Sequence, residues 1–199
     1  MKFLKVLVLF FFFGCNSGSK QLPILSYQID DKGNTVAYKI KYDNFKNQLG
    51  ENFSTDNIKD KVFLANFFFT SCPSICPPMR NKLIDIAETF QSDDDFLIVS
   101  HTIDPKNDTV EVLKNYSEAT GISSDKWQFV RSSVELTRKQ ADLYMTNFKA
   151  NEDGTDFYHS SYAALVDTDQ QIRGFYNLLV DEEIERLKED IAFLLKTNS

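Results

Sequence analysis

The chain has 199 residues, and 22 Lys+Arg against 29 Asp+Glu give it a formal net charge of −7. This length suits one domain with a substantial core, and a charged fraction of 26% with both signs mixed is typical of a folded chain rather than a disordered one. Nucleic-acid surfaces are built from clustered basic residues, and this acidic chain contains no basic run. We therefore expect no nucleic-acid partner.

The N-terminus has the pattern of an export signal. Lys2 and Lys5 precede an apolar run over 6–13, and Gly14 and Cys15 follow the run. The run is too short to cross a membrane, since a spanning helix needs about 20 apolar residues. A cysteine placed in this way resembles the lipobox of bacterial lipoproteins. The resemblance implies a signal peptide over 1–14, acylation of Cys15, and a membrane-anchored protein that faces the periplasm or the cell exterior. An ordinary secretory signal or a short anchor helix is the alternative.

Behind the signal the chain divides into a tether and one domain. Residues 15–22 begin with small polar side chains, which suit a flexible tether. The domain runs over 23–199 and contains no internal repeat. Strand patterns over 27–29 and 36–40 flank a turn that contains Gly33, and this arrangement predicts an N-terminal β-hairpin.

The rest of the domain alternates strands with helices. Apolar runs over 62–69 and 96–99 predict buried strands, and an apolar stripe from Met79 to Phe90 predicts a helix between them. The remaining predicted elements are a helix over 109–119, a strand over 127–130, a helix opened by a capping box from Ser132 to Glu135, paired strands over 162–166 and 172–176, and a closing helix over 181–195. This order predicts an α/β domain with a central mixed sheet flanked by helices.

The chemistry concentrates where the first buried strand ends. Three residues separate Cys72 from Cys76, and Pro77 and Pro78 suit the first turn of a helix that begins near Cys76. The dipole of such a helix favours the thiolate form at both sulfurs, and two soft thiolates select Cu(I) or zinc. A plain structural disulfide is the competing interpretation for an exported protein. It is disfavoured because a bridge across so short a loop removes little chain entropy.

A third ligand would separate metal binding from redox chemistry, and the chain has only two histidines. His159 lies just before a predicted strand, where its side chain can point out over the sheet edge, whereas His101 lies at the end of one. Two thiolates and one imidazole make a plausible copper site in either oxidation state, or a three-ligand zinc site. Met79 could add a thioether, but its place in the apolar stripe of the helix favours core packing.

Three segments together resemble the Sco (SenC) family of copper-binding, thioredoxin-like proteins that assist assembly of the copper centre of cytochrome c oxidase. They are the cysteine motif over 68–79, the Asp-Pro segment over 103–109, and His159 with the hairpin that follows it. The resemblance implies a single thioredoxin-like domain in which Cys72, Cys76 and His159 hold Cu(I) or Cu(II).

The resemblance also implies a copper chaperone rather than an enzyme. Its partner would be the copper-bearing subunit of cytochrome c oxidase or another copper protein. His101 has no counterpart in the family's ligand set, so we expect it to be structural. Ser74 stands where many members have Asp, so an acidic contribution near the metal is absent in this chain. For Asp104 and Asp108 we expect a turn and a helix cap.

Two other functions stay open at this point. A dedicated thiol–disulfide reductase would cycle Cys72 and Cys76 between dithiol and disulfide, and so keep the cysteines of the oxidase copper site reduced. Thioredoxin-type reductases use a cis-proline packed against the active-site cysteines, and no proline directly precedes the predicted strand over 162–166. A peroxiredoxin-type peroxidase is disfavoured because Phe69 holds the position of that family's Thr.

Overall fold

The computed structural model describes residues 21–150 and 157–197. The predicted signal peptide over 1–14, Cys15 and most of the predicted tether lie outside these residues. Among the described residues, no helix is long and apolar enough to cross a membrane.

The described chain forms short β-ribbons, a central sheet and four α-helices. The strands are β1 (Tyr27–Ile29), β2 (Thr35–Ala37), β3 (Phe45–Lys46), β4 (Asn52–Phe53), β5 (Val62–Phe68), β6 (Phe96–Thr102), β7 (Trp127–Val130), β8 (Phe148–Ala150), β9 (Phe157–His159), β10 (Tyr162–Val166) and β11 (Ile172–Asn177). The helices are α1 (Cys76–Thr89), α2 (Val110–Glu118), α3 (Val134–Leu143) and α4 (Asp181–Thr197), and a 3₁₀ turn spans Thr55–Ile58.

The central sheet has five strands in the order β11-β10-β5-β6-β7. β5, β6 and β7 are parallel, whereas β10 is antiparallel to both β5 and β11. Every residue of β5 and β6 is buried, which explains the apolar runs that predicted these strands. β6 continues beyond its predicted end at residue 99 through the buried polar residues Ser100, His101 and Thr102. Helix α1 packs on β6, α2 on β7, and α4 on β5 and β11. The predicted mixed α/β fold is confirmed.

The strand register places the chemistry at one edge of the sheet. Phe68 at the end of β5 pairs with Thr102 at the end of β6, so both strands release the chain at the same edge. β10 runs antiparallel to β5, with Ala164 opposite Ala65, and therefore begins at that edge. Residues that follow β5 and residues that precede β10 are thus brought together, although about 80 positions separate them in the sequence.

Three antiparallel ribbons lie outside the central sheet. β1 and β2 form the predicted N-terminal hairpin, in which Tyr27 lies opposite Ala37. β3 pairs with β4, and β8 pairs with β9. The last two ribbons were not predicted, because strands of two or three residues are too short to show a period in the sequence. The β8–β9 ribbon matters for function because β9 ends at His159.

The helix boundaries agree with the predictions to within a few residues, but one cap differs. Helix α1 begins at Cys76, as the following prolines suggested. The cap of α3 is Ser133, whose hydroxyl accepts the N–H of Leu136 at 3.2 Å. The prediction of Ser132 as the cap was wrong, since its hydroxyl donates to the carbonyl of Asn44 at 2.7 Å. Adjacent serines offer the same capping chemistry, so only tertiary contacts decide between them.

His101 is a core residue, as expected. Its side chain is fully buried, and its ring stacks on Phe67 and Tyr42 with centroid distances of 4.7 and 5.4 Å. Nδ1 lies 3.0 Å from the carbonyl of Asn66, and since a carbonyl can only accept, Nδ1 carries the proton. Among the described residues, Nε2 has no hydrogen-bond partner. Burial therefore lowers the pKa of His101 to about 4, with the Asn66 hydrogen bond only partly offsetting it.

This buried imidazole predicts acid sensitivity of the fold. An unfolded chain binds a proton at His101 near pH 6.5, whereas the folded chain resists protonation until about pH 4. The free energy of unfolding should therefore fall by about 3 kcal/mol as the pH drops from 6.5 to 4. His101→Phe has no imidazole to titrate at this position. The free energies of unfolding measured in urea at pH 7 and at pH 4.5 should therefore differ less in His101→Phe than in the unmodified protein. Equal pH dependence in both proteins would show that His101 does not titrate as described.

Candidate metal centre

The two cysteines lie in the loop that joins β5 to α1. Cys72 follows the last residue of β5 by four positions, and its N–H donates to the carbonyl of Phe69 at 3.3 Å, which closes a tight turn. Cys76 is the first residue of α1, and its N–H points at the sulfur of Cys72 at 3.5 Å. Both thiols are free and buried. The helix N-terminus therefore directs one backbone donor at the first sulfur, and the helix begins where the prolines after Cys76 predicted.

His159 reaches the cysteines from the β8–β9 ribbon. It is the last residue of β9, lies opposite Phe148, and is 6% exposed. Nδ1 lies 3.1 Å from the carbonyl of Ser160. Because a carbonyl oxygen can only accept, this contact assigns the proton to Nδ1 and leaves the lone pair on Nε2. That is the tautomer in which Nε2 can bind a metal.

The three side chains converge on one point. Nε2 of His159 lies 3.2 Å from Sγ of Cys76 and 3.9 Å from Sγ of Cys72. All three ligand atoms lie within 4.8 Å of one another. In the described part of the chain they form the single group of three or more His, Cys, Asp or Glu side chains that could hold one metal ion. The structure thus brings together the three residues that the sequence analysis selected, and leaves His101 out.

The two thiols differ in acidity, which the sequence analysis did not anticipate. Burial raises the pKa of the Cys72 thiol, but hydrogen bonds from the Cys76 thiol and N–H and from Ser74 outweigh burial, so this pKa lies below its ordinary value. Burial raises the pKa of the Cys76 thiol well above its ordinary value, and the nearby Cys72 sulfur adds to the rise. The expectation of thiolate at both sulfurs left out this desolvation, which acts against the thiolate form of Cys76.

The buried carboxylate of Asp108 holds the cysteine loop by hydrogen bonds. Asp108 is 1% exposed, and its carboxylate accepts the Thr70 N–H at 3.2 Å together with the hydroxyls of Thr70 and Thr102. It therefore ties the residue two positions before Cys72 to the end of β6. Burial raises the pKa of Asp108, and the threonine hydrogen bonds partly offset the rise.

The expectation for the Asp-Pro segment was half right. Asp104 does form a turn, in which its carbonyl accepts the N–H of Asn107 and of Asp108. Asp108 is not a helix cap, because Thr109 caps α2 by accepting the N–H of Val112 at 3.3 Å. Asp and Thr are both good caps and stand side by side, so the sequence could not separate the cap from the buried carboxylate.

A groove of about 540 Å³ opens beside His159. It shares part of its wall with a second cavity of about 200 Å³ that reaches the ring of Phe67. Three of the large apolar side chains that the described chain exposes line the groove, namely Met145, Tyr162 and Leu179. The walls of the groove come from four separate segments of the chain, so no pattern in the sequence predicts it.

Comparison with known proteins places this site in a family. The SCO1/SenC family model matches residues 32–196, which is most of the chain. This chain belongs to the SCO1/SenC family. It is 29% identical over 196 residues to the SCO1 protein homolog of Bacillus subtilis, with 96% of each chain covered. The matched range contains Cys72, Cys76 and His159, the three side chains that converge in the structure.

Solved Sco structures share the fold. BsSco, described as a member of the Sco family of cytochrome c oxidase assembly proteins with a disulfide switch, superposes with a TM-score of 0.71 at 26% identity and covers 88% of this chain and 98% of its own. Arabidopsis thaliana ScoI with copper bound superposes with a TM-score of 0.67 at 22% identity and covers 78% and 99%. The thioredoxin-like fold implied by the resemblance is confirmed.

Asp108 generates a prediction about stability. The two carboxylate oxygens of Asp108 accept three hydrogen bonds, from the N–H and hydroxyl of Thr70 and from the hydroxyl of Thr102. In Asp108→Asn an NH₂ group, which cannot accept, replaces one of these oxygens, so at least one buried donor loses its partner. We expect the free energy of unfolding to fall by roughly 1–3 kcal/mol. Asp104→Asn is the matched control, since within the described chain that side chain accepts a single hydrogen bond, from the amide of Asn107 at 2.7 Å. Urea unfolding should rank Asp108→Asn as clearly less stable than the control, and equal stabilities would contradict the supporting role.

Proposed function

We propose that this protein is a copper carrier that assists assembly of the copper centre of cytochrome c oxidase, and that it holds copper through Cys72, Cys76 and His159. The observation that carries the proposal is the convergence of two sulfurs and an imidazole nitrogen whose proton lies on the other ring nitrogen. Copper is the cargo in this proposal, and the protein's task is to hold it and release it.

The donor set favours copper over zinc. Structural zinc sites close with four ligands, and the described residues supply three His, Cys, Asp or Glu ligands at this point. Cu(I) is soft, prefers thiolate and accepts imidazole, so two sulfurs and one nitrogen satisfy it. The centre also lies beside an open groove rather than deep in the core, which suits an ion that must be passed on.

Release by ligand exchange follows from the inequality of the two thiols. Cys72 is the more exposed residue, at 7% against 3% for Cys76, and its thiol is the more acidic of the two. Incoming thiolates of the oxidase subunit would displace one ligand at a time, so that copper is never without soft ligands. We expect Cys72 to exchange first and the buried Cys76 to remain as the last sulfur bound.

A copper titration of the reduced protein tests the ligand set. We expect one copper per chain and, with Cu(II), a sulfur-to-copper charge-transfer band. Cys72→Ser and His159→Ala should each weaken binding by at least about tenfold, because each removes a ligand. Affinity should also fall from pH 7 to pH 5, since protons compete for the thiolates and the imidazole.

His101→Phe is the matched control for His159→Ala, because it removes the other histidine and leaves the three ligands in place. It should bind copper as the unmodified protein does. Binding that is indifferent to His159, or lost equally in His101→Phe, would contradict the proposed ligand set.

A dedicated thiol–disulfide reductase is the second candidate. It is favoured by the pairing of a more acidic thiol with a less acidic one, which is the asymmetry that disulfide exchange uses. The relative BsSco is described as having a disulfide switch. Weak copper binding together with a readily cycled Cys72–Cys76 disulfide, measured by thiol trapping against glutathione buffers, would establish this function instead.

We also propose that the protein is exported and tethered to a membrane by lipid on Cys15, facing the periplasm or the cell exterior. In this arrangement residues 1–14 are the signal peptide, 15–22 the tether and 23–199 the Sco domain. The basic start, short apolar run and following cysteine support the proposal.

The anchor is tested by labelling cells with a fatty-acid analogue. Cys15→Ser should abolish the label. The altered protein should either leave the membrane fraction for the soluble fraction or accumulate with its signal peptide uncleaved. Cys72→Ser is the matched control, because it removes a cysteine from the domain and should keep the label. Retention of the label in Cys15→Ser would contradict a lipoprotein.

A further inference from the structure

Met145 occupies a backbone position that usually belongs to glycine. Helix α3 ends at Leu143, and the N–H groups of Met145 and Thr146 donate to the carbonyls of Asp142 and Ala141, at 3.0 and 3.1 Å. This is the Schellman termination, whose left-handed residue is Met145 with a φ of 50°. A long side chain is disfavoured in that conformation, whereas glycine adopts it freely.

Packing does not explain the methionine. Its side chain is 54% exposed, so it gains little from burial that would compensate for the unfavourable backbone. The preceding residue, Tyr144, has the opposite character, because it is buried and its hydroxyl lies 2.7 Å from that of Tyr42. The fold thus holds the turn through Tyr144 and directs Met145 outward. A strained, exposed residue of this kind points to a function.

The groove beside His159 indicates what the function is. Met145 lines the groove together with His159, Ser74 and Leu179. Among the described residues that line it there is no Asp, Glu, Lys or Arg, in a chain in which 26% of residues are charged. Its polar groups besides the imidazole are hydroxyls, an amide and backbone, all hard ligands. Met145 and His159 are therefore the two side chains of this wall that suit Cu(I).

We propose that the thioether of Met145 is a transient copper ligand at the mouth of the groove, through which Cu(I) enters and leaves the site formed by Cys72, Cys76 and His159. The inference rests on the proposed function and adds to it the path of the metal. A thioether carries no proton, so it binds Cu(I) without first losing one, whereas each thiol must be deprotonated.

The transfer itself is a ligand exchange. The bond from copper to the Met145 sulfur breaks as a bond to a cysteine sulfur forms, and the thiol proton passes to solvent. Copper stays Cu(I) throughout, so no oxidant or reductant takes part. Release to a partner is the same sequence reversed. The final three-ligand site does not include Met145, so this residue affects the rate of transfer and leaves the equilibrium affinity unchanged.

The test compares the full chain with Met145→Leu, which keeps an apolar side chain of similar size and removes the sulfur. Anaerobic stopped-flow measurements would follow Cu(I) loading, and its release to a chelator such as bathocuproine disulfonate. We expect Met145→Leu to slow both by roughly tenfold, with the equilibrium affinity unchanged. Leu179→Ala is the matched control, because it alters another exposed apolar residue of the groove that has no donor atom, and it should retain both rates.

A second measurement shows the bond directly. With selenomethionine in a Cys72→Ser/Cys76→Ser chain, selenium-edge absorption should show a copper neighbour after Cu(I) addition, and Met145→Leu should remove it. Loading at the original rate in Met145→Leu, or equal slowing in Leu179→Ala, would overturn the inference. If those results came with tight binding at Cys72, Cys76 and His159, the copper carrier would stand without this path. Absence of copper binding in the unmodified chain would overturn both.

Discussion

The pairing of β10 with β5 is the constraint on which the rest of the structure depends. β5 is buried along its whole length between parallel and antiparallel neighbours, so its direction and register are fixed by the core. Its end releases the cysteine loop at one edge of the sheet, and the antiparallel β10 begins at that same edge. A histidine placed just before β10 therefore lies at the same end of the sheet as the cysteines. The metal centre is a consequence of sheet topology, not of any contact local in the sequence.

Desolvation then differentiates the side chains that topology brings together. At Cys72 hydrogen bonds outweigh burial, at Cys76 burial prevails, and at His101 burial holds the imidazole neutral. The two histidines illustrate the point. His101 has stacked aromatic rings around it and no second hydrogen-bond partner among the described residues, whereas His159 has its Nε2 directed at two sulfurs. The same residue type is a core element in one environment and the proposed ligand in the other.

Sequence patterns predicted what depends on period and on spacing. The buried strands, the amphipathic helices and the Cys72-x-x-x-Cys76 turn were all recognisable, and the resemblance to a known family supplied His159 as the third ligand. Features that depend on tertiary contacts were not predictable. The short β8–β9 ribbon has no period, the unequal acidity of the thiols depends on burial, and Asp108 was taken for a cap because only the fold shows the threonines that surround its carboxylate. The groove could not be predicted either, because its walls come from segments that are distant in the sequence.

The central claim is that two thiolates and one imidazole hold copper at the edge of this sheet. X-ray absorption at the copper edge of the Cu(I)-loaded protein tests it most directly, because it counts the neighbours of the metal by element. The account predicts two sulfur neighbours and one nitrogen neighbour with the multiple-scattering pattern of imidazole, and loss of that pattern in His159→Ala. Copper bound by two sulfurs alone in the unmodified protein, with a spectrum unchanged by His159→Ala, would contradict it.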